Sequence, residues 1–193
     1  MLGLKLATDP VWVNIAEKTI DEILTDHAYC EQKAASTCIS LIVQYPDKED
    51  LVEEITPIVA EEWGHFRKVL KELKQRGYKF GKTRTDDYVN ELMKFQRKGG
   101  KDEDRLMDKL LIAAMIEARS CERFRLLSLH IGDDDLKKFY HEFMVSEAGH
   151  YRTFIDLAKK YAPEAKVKDR WQEMLEFEAG IMKNRALRGD RMH

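Results

Sequence analysis

A chain of 193 residues with 44% hydrophobic and 35% charged residues has the size and balance of one compact domain with its own core, so a single domain over residues 1–193 is expected. Four prolines, ten glycines and no Ser- or Gln-rich tract argue against disorder or a flexible two-domain layout, and a formal charge of −2 singles out no partner. No run approaches the roughly 18 apolar residues of a membrane span, no signal peptide opens the chain, and Cys30, Cys38 and Cys121 lack zinc-type spacing, so a cytoplasmic protein without disulfides or membrane contact is expected.

In chain order, Asp9-Pro10 reads as a helix start, an N-cap carboxylate followed by the residue preferred at the first helical position. From there the pattern runs without a breaker to Gln44-Tyr45-Pro46. Leu24, His27, Glu31, Ala34, Cys38 and Leu41 recur at three- and four-residue steps, which places Glu31 mid-helix on the inward stripe. His27, one turn earlier, reads first as a core histidine satisfied by a neighbour and second as a group in or beside a site. After a turn at Pro46-Asp47, a second helix is predicted from about Lys48 to Arg76, ending before Gly77. Its inward face reads Leu51, Ile55, Ile58, Glu62, His65, Val69 and Leu73. Pro57 removes one backbone hydrogen bond about a turn before Glu62 and predicts a kink or local unwinding. Gly64 either lets a helix approach closely or leaves space above bound metals.

Gly77 to Lys101 is a long crossover, as required if the second and third helices of a bundle run the same way. It is expected to carry a short helix from Asp86 to about Arg97, capped by Thr85 or Asp86 and ended by Gly99-Gly100. Between Arg67 and Lys101 twelve basic residues stand against four acidic ones, an excess able to meet a phosphate backbone, with Lys79, Lys82, Arg84, Arg97 and Lys98 as the candidate contacts. Tyr78, Phe80 and Tyr88 could stack on bases, while the plainer reading is a solvated surface held down by hydrophobic anchors. The third bundle helix runs from about Asp102 to Ile131, with Leu106, Leu110, Ala113, Glu117, Cys121 and Phe124 inward. Gly132-Asp133 then starts the fourth, whose stripe is Leu136, Tyr140, Phe143, Glu147, His150, Tyr151 and Phe154. Glu122, about 140° round the helix from Glu117, reads as an outer or salt-bridging group. Pro163 closes the bundle, and a fifth helix from about Val167 to Arg188 leads to a basic tail at Arg185, Arg188 and Arg191.

The chemistry lies in Glu62-Trp63-Gly64-His65 and Glu147-Ala148-Gly149-His150. Positions i and i+3 share a helix face, so each Glu-x-x-His can grip a metal from one helix. Glu31 lies 31 residues before Glu62, and Glu117 lies 30 residues before Glu147, which repeats the unit Glu then Glu-x-x-His in two helix pairs. That is the pattern of a carboxylate-bridged di-iron site in a four-helix bundle. A single Glu-x-x-His is a weak signal; two of them on apolar stripes, each with an upstream helical Glu, carry weight because buried charges are costly unless paired or bound to metal. Four carboxylates and two imidazoles suit Fe or Mn. By analogy with such bundles, Glu31, Glu62 and His65 would hold one iron, Glu117, Glu147 and His150 the other, and Glu62 and Glu147 would bridge, leaving open positions for O2.

The stretches His27-Ala28-Tyr29-Cys30-Glu31, Glu61-Glu62-Trp63-Gly64-His65-Phe66, Ile116-Glu117-Ala118-Arg119-Ser120-Cys121-Glu122 and Ser146-Glu147-Ala148-Gly149-His150-Tyr151 resemble the MiaE-type tRNA hydroxylases of the ferritin-like superfamily. The resemblance covers nearly the whole chain. It implies an all-α, ferritin-like four-helix bundle with a long crossover carrying a short helix and an extra C-terminal helix. It further implies hydroxylation of the isopentenyl group of 2-methylthio-isopentenyladenosine in tRNA, using O2 and two electrons from a reductase or ferredoxin. A ferritin-like di-iron oxygenase or oxidase acting on a small molecule is the alternative.

Overall fold

Apolar residues at three- and four-residue steps make helices, and the computed structural model, which describes residues 2–193, contains no strand among the described residues. The helices are α1 (Val11–Ala16), α2 (Ile20–Gln44), α3 (Glu49–Gln75), α4 (Asp87–Leu92), α5 (Asp102–His130), α6 (Asp134–Tyr161) and α7 (Glu164–Lys183), with 3-10 turns at Glu17–Thr19 and Met93–Phe95. Two compact units result. One holds Trp12–Thr85 and Arg188–Met192; the other holds the segment up to Val11, Asp86–Leu187 and His193.

In the α2–α3 unit, the short connection Tyr45–Lys48 folds α3 back along α2. The buried residues of α3 are Leu51, Ile55, Ile58, Glu62, Val69 and Leu73, the expected stripe, with His65 partly exposed. Those of α2 include Leu24, His27, Ala28, Glu31, Ala35, Cys38 and Leu41, so Ala35 rather than Ala34 is the alanine turned fully inward. Pro57 lies within α3, yet the helix runs unbroken across it, and the expected unwinding does not occur. α3 stops because Gly77 takes φ +74°, which lets its N–H donate to Lys74 O at 3.1 Å and that of Tyr78 donate to Leu73 O at 2.9 Å.

The unbroken first helix does not form. Asp9 Oδ1 accepts from the Val11 N–H at 2.9 Å, as an N-cap should, but at Thr19 the backbone leaves the helical region (φ −138°, ψ 47°). The C-terminal segment Arg188–Met192 packs against this bend. Its carbonyls accept from the Trp12 indole (Arg188 O, 2.8 Å) and the Thr19 hydroxyl (Gly189 O, 2.7 Å). A Cβ on Gly189 would fall 2.7 Å from Ile15 O, so only glycine fits. Asp26 accepts from the Met192 N–H at 2.8 Å, Arg191 pairs with Asp26, and Asp190 takes both Arg188 and Arg84. The tail read as a basic surface therefore serves, through Arg188 and Arg191, as a strap.

In the α5–α6 unit, Asp133 caps α6 by accepting from the N–H groups of Asp135 (3.0 Å) and Leu136 (2.9 Å), and α6 folds back along α5. α5 is buried on almost every side between Leu106 and Leu127, because α7 and the N-terminal segment also pack on it. Charged residues on those further sides must be paired. Arg119 donates to Glu178 Oε1 (2.9 and 2.7 Å), Glu122 Oε2 (2.7 Å) and Leu6 O (2.9 Å), while Thr8 donates to Glu122 from its N–H (2.6 Å) and hydroxyl (2.7 Å). Tyr88 of α4 donates to Glu178 at 3.2 Å, and burial pushes its hydroxyl well above the usual tyrosine value.

α4 is capped by Asp86 but ends at Leu92 instead of about Arg97. Beyond it, Arg170 donates to Phe95 O (2.8 Å) and lies 3.6 Å above the Phe95 ring, and Asp108 accepts the Arg97 N–H (2.9 Å), so tertiary partners replace helical ones. α7 begins at Glu164 directly after Pro163 and ends at Lys183, five residues before the expected Arg188; Asn184 closes it by donating to Gly180 O at 3.0 Å.

Replacing Arg119 with Met strands two buried carboxylates and should lower stability by about 3–5 kcal/mol. Urea denaturation followed by circular dichroism measures it; a loss under about 1 kcal/mol would show the network to be incidental.

Candidate metal centre

Within the α2–α3 unit the i, i+3 spacing puts Glu62 and His65 on one face of α3, and α2 supplies Glu31 opposite them. His65 Nδ1 lies 3.3 Å from Glu31 Oε2 and 3.6 Å from Glu62 Oε2. One donor atom from each of the three lies within 4.8 Å of the others. Within the α5–α6 unit the same construction recurs. Glu117 from α5 meets Glu147 and His150 from α6, again with donor atoms within 4.8 Å, and His150 Nδ1 is 3.8 Å from Glu147 Oε2. All but His65 are buried.

Each triad fits a metal ion. Metal–ligand bonds of about 2.1 Å would put adjacent ligand atoms about 3 Å apart and opposite ones about 4.2 Å apart, and the imidazole–carboxylate separations of 3.3, 3.6 and 3.8 Å lie between these. Both histidines turn Nδ1 toward the carboxylates, and Ser146 Oγ lies 3.5 Å from the other nitrogen of His150. Two carboxylates and one imidazole form a hard-to-borderline donor set, and a divalent cation offsets the desolvated negative charge. Cys121, one turn past Glu117, keeps its proton: burial, then the charge of Glu147, pushes its thiol up to about 12, and its Sγ donates to Met144 O at 3.2 Å.

His27 is the core histidine satisfied by a neighbour that its position suggested, and the neighbour is Glu31. It is fully buried, and its Nε2 donates to Glu31 Oε1 at 2.7 Å, leaving Oε2 toward His65. Its i, i+4 spacing from Glu31 was the available signal. Glu122 is a salt-bridging group, held by Arg119 and Thr8. At Gly64 and Gly149 an added Cβ would meet nothing within 4 Å, so close helix approach does not explain Gly64.

The five candidate phosphate contacts divide. Lys79, Lys82 and Lys98 are exposed. Arg84 is committed to Glu22 and Asp190, and Arg97 to Asp104 and Asp108. Tyr88, read as a possible base-stacking ring, is buried against Glu178 and His193, whereas Tyr78 and Phe80 are exposed. What the sequence reading missed is that Tyr29, Trp63 and Phe66 gather with Phe80 on the α2–α3 unit. Their one sequence signal was that Trp63 and Phe66 lie off the inward stripe.

The sequence model of the family described as "tRNA-(MS[2]IO[6]A)-hydroxylase (MiaE)" matches residues 2–193. A protein of Pseudomonas putida described as "tRNA 2-(methylsulfanyl)-N(6)-isopentenyladenosine(37) hydroxylase" is 38% identical over 160 residues, covering 83% of this chain and 77% of its own length. A Salmonella typhimurium protein of the same description is 27% identical over 210 residues, with the same two coverages. A solved structure described as "Protein 43 with aldehyde deformylating oxygenase activity from Synechococcus" aligns with a TM-score of 0.92 and 32% identity, covering 98% of this chain and 94% of that one. The chain thus has the all-helical, ferritin-like fold expected from its sequence.

Protein loaded anaerobically with Fe(II) should hold about two ions per chain, and Glu62→Ala or Glu147→Ala should lower that number, measured by elemental analysis. Full iron content in both variants would remove the triads as ligands. His27→Ala should weaken metal binding at the first triad about 10- to 100-fold in a metal titration; an unchanged isotherm would make His27 a packing residue only.

Proposed function

Because the chain belongs to the MiaE family of tRNA hydroxylases, we propose that it hydroxylates the isopentenyl side chain of 2-methylthio-isopentenyladenosine in tRNA. The observation that carries this reading is the coincidence of a family match over residues 2–193 with two buried triads of two Glu and one His. In it both units act as one domain. Glu31, Glu62 and His65 would hold one iron, and Glu117, Glu147 and His150 would hold a second. Iron bound there would supply the activation of O2, whose two atoms would end in the product hydroxyl and in water, with two protons and with two electrons from a reductase or ferredoxin.

The chain's own residues do the rest. The carboxylates neutralise the cations, and the imidazoles, neutral when ligating, add no charge. Buried residues one turn to either side keep water away: Ile58 and Val69 about the α3 ligands, Ala113 and Cys121 about Glu117, Phe143 and Phe154 about Glu147 and His150. His27 holds one oxygen of Glu31 and thereby orients the other. The charged RNA backbone stays outside, where Lys79, Lys82 and Lys98 meet phosphate. No described helix is long and apolar enough to cross a membrane, and we place the protein with tRNA in the cytoplasm.

The solved relative with aldehyde deformylating activity favours a second reading, a di-iron oxygenase acting on a free small molecule. Mass spectrometry of tRNA nucleosides from cells with and without the protein separates the two. Appearance of the hydroxylated nucleoside only with the protein supports the first; identical nucleosides, with turnover of an aldehyde by the purified protein, support the second.

Reversing Lys79 and Lys82 to Glu should raise the apparent KM for whole tRNA and reduce its logarithmic salt slope by about 1.5–2, with iron content unchanged. Unaltered KM and slope would show that this surface does not meet the phosphates.

A further inference from the structure

Among the described residues, the outside of the α2–α3 unit carries a linked set of aromatic rings in contact with water. Trp63 and Phe66 tilt together at a centroid distance of 4.9 Å, Phe66 meets Phe80 edge-on at 6.1 Å, and Phe80 stacks on Tyr29 at 4.6 Å. Trp63 is 48% exposed and Phe80 41%. These rings come from α2, α3 and the crossover, and the crossover is fastened to hold its ring in place. The Tyr29 hydroxyl donates to Gly81 O at 2.9 Å, Gly81 comes so near Thr25 that a Cβ would lie 3.2 Å from its methyl, and Arg84 is clamped by Glu22 and Asp190. A large, rigid aromatic surface left in water is unfavourable for the free protein and marks a binding surface.

Charge selects the partner. From Trp63 to Thr85 there are eight basic residues (Arg67, Lys68, Lys71, Lys74, Arg76, Lys79, Lys82, Arg84) and one acidic, Glu72, which is paired with Arg76. Arg67 and Lys71 follow Trp63 at four-residue steps along α3 and are exposed, while Lys79 and Lys82 flank Phe80. Flat rings set among cations fit a polyanion with exposed bases, single-stranded RNA, better than an apolar peptide or a second copy of this basic surface. The rings also adjoin the first triad in sequence: Trp63 follows Glu62, Phe66 follows His65, and Tyr29 lies two residues before Glu31.

We propose that Trp63 and Phe80, backed by Phe66 and Tyr29, form a stacking platform for unpaired bases of the tRNA loop that neighbour the modified nucleotide. This rests on the tRNA hydroxylase reading and adds to it the surface that recognises single-stranded bases. Stacking holds the loop, and lysines take its phosphates. The modified base itself, once out of the stack, is left to reach the iron pair.

Trp63 allows a direct test, because Trp12 and Trp171 are buried. An unmodified anticodon stem–loop RNA should quench tryptophan emission, and duplex RNA of equal length should quench it far less. Phe80→Ala and Trp63→Ala should each weaken stem–loop binding about tenfold, read by anisotropy of labelled RNA, with the salt slope unchanged because stacking releases no counterions. Trp63→Phe should keep the binding and lose the emission change, which separates a stacking ring from a folding defect, and circular dichroism melts check the alanine variants. Unquenched emission, parent-like affinity in both alanine variants, or equal response to duplex would overturn the platform. Self-association that is lost in Trp63→Ala would overturn it too, assigning the patch to a second copy. Parent-like tRNA hydroxylation in both alanine variants would likewise sink the platform while leaving tRNA hydroxylation standing. Absence of hydroxylated product from the unaltered protein, with quenching and alanine effects intact, would sink the hydroxylase reading instead.

Discussion

Carboxylates brought together in a dry interior repel one another and lose their hydration, so such a group persists only where positive charge or protons relieve it. The structure places Glu31 with Glu62, and Glu117 with Glu147, inside two helix hairpins, and most of what surrounds them follows from that constraint. Each pair has an imidazole one helical turn away, delivered by the i, i+3 spacing, with Nδ1 turned inward. The helices extend well beyond these residues in both directions, so apolar turns flank them. A loop could supply the same atoms, but it could not hold two carboxylates at fixed distance with water excluded.

A second group of buried carboxylates shows the other solution. Glu178 and Glu122 share one guanidinium, Arg119, which stays charged at any pH the protein meets and offers donors enough for both. Burial pushes Glu178 up and Arg119 pulls it back, with Tyr88 and Thr8 completing the network. Neutrality is reached within the chain, so this network fastens the N-terminal segment, α4 and α7 to α5. In the triads the carboxylates meet imidazoles, a side chain that binds metals when neutral. The difference between Arg and His as the partner separates a structural knot from a site. α5 carries one of each: Glu117 turns toward α6, and Arg119, two residues on, turns toward α7.

The basic crossover divides along similar lines. Arg84 and Arg97 hold loop to helix, each taken up by two carboxylates, while Lys79, Lys82 and Lys98 remain at the surface. Planar guanidinium suits fixed, multiply bonded positions, and flexible ammonium suits a surface that meets a mobile phosphate chain. A count of charges along the sequence sums these two populations and so overstates the charge left at the surface.

By itself the sequence determined the helical class, the inward stripes of α2, α3, α5 and α6 apart from Ala34, His65 and Tyr151, which are partly exposed, and the membership of both triads, because the spacing of residues along a helix dictates which side chains share a face. It also placed the Gly77 stop and the start of α6 at Gly132-Asp133, and it narrowed the α4 cap to Thr85 or Asp86, of which the structure uses Asp86, because such features are decided within a few residues. The tertiary structure alone decided what depends on partners far along the chain. Thr19 breaks the first helix because Gly189 lies against it, and α4 stops at Leu92 because Arg170 and Asp108 engage the backbone beyond. The burial of Arg119 requires α7 and the N-terminal segment on sides of α5 whose periodicity reads as open. Tyr29, Trp63, Phe66 and Phe80 lie in three separate stretches and become one surface only when α2, α3 and the crossover are folded together. Local spacing cannot show which face a distant segment will cover, and that covering turns a surface charge into a clamp and scattered rings into one cluster.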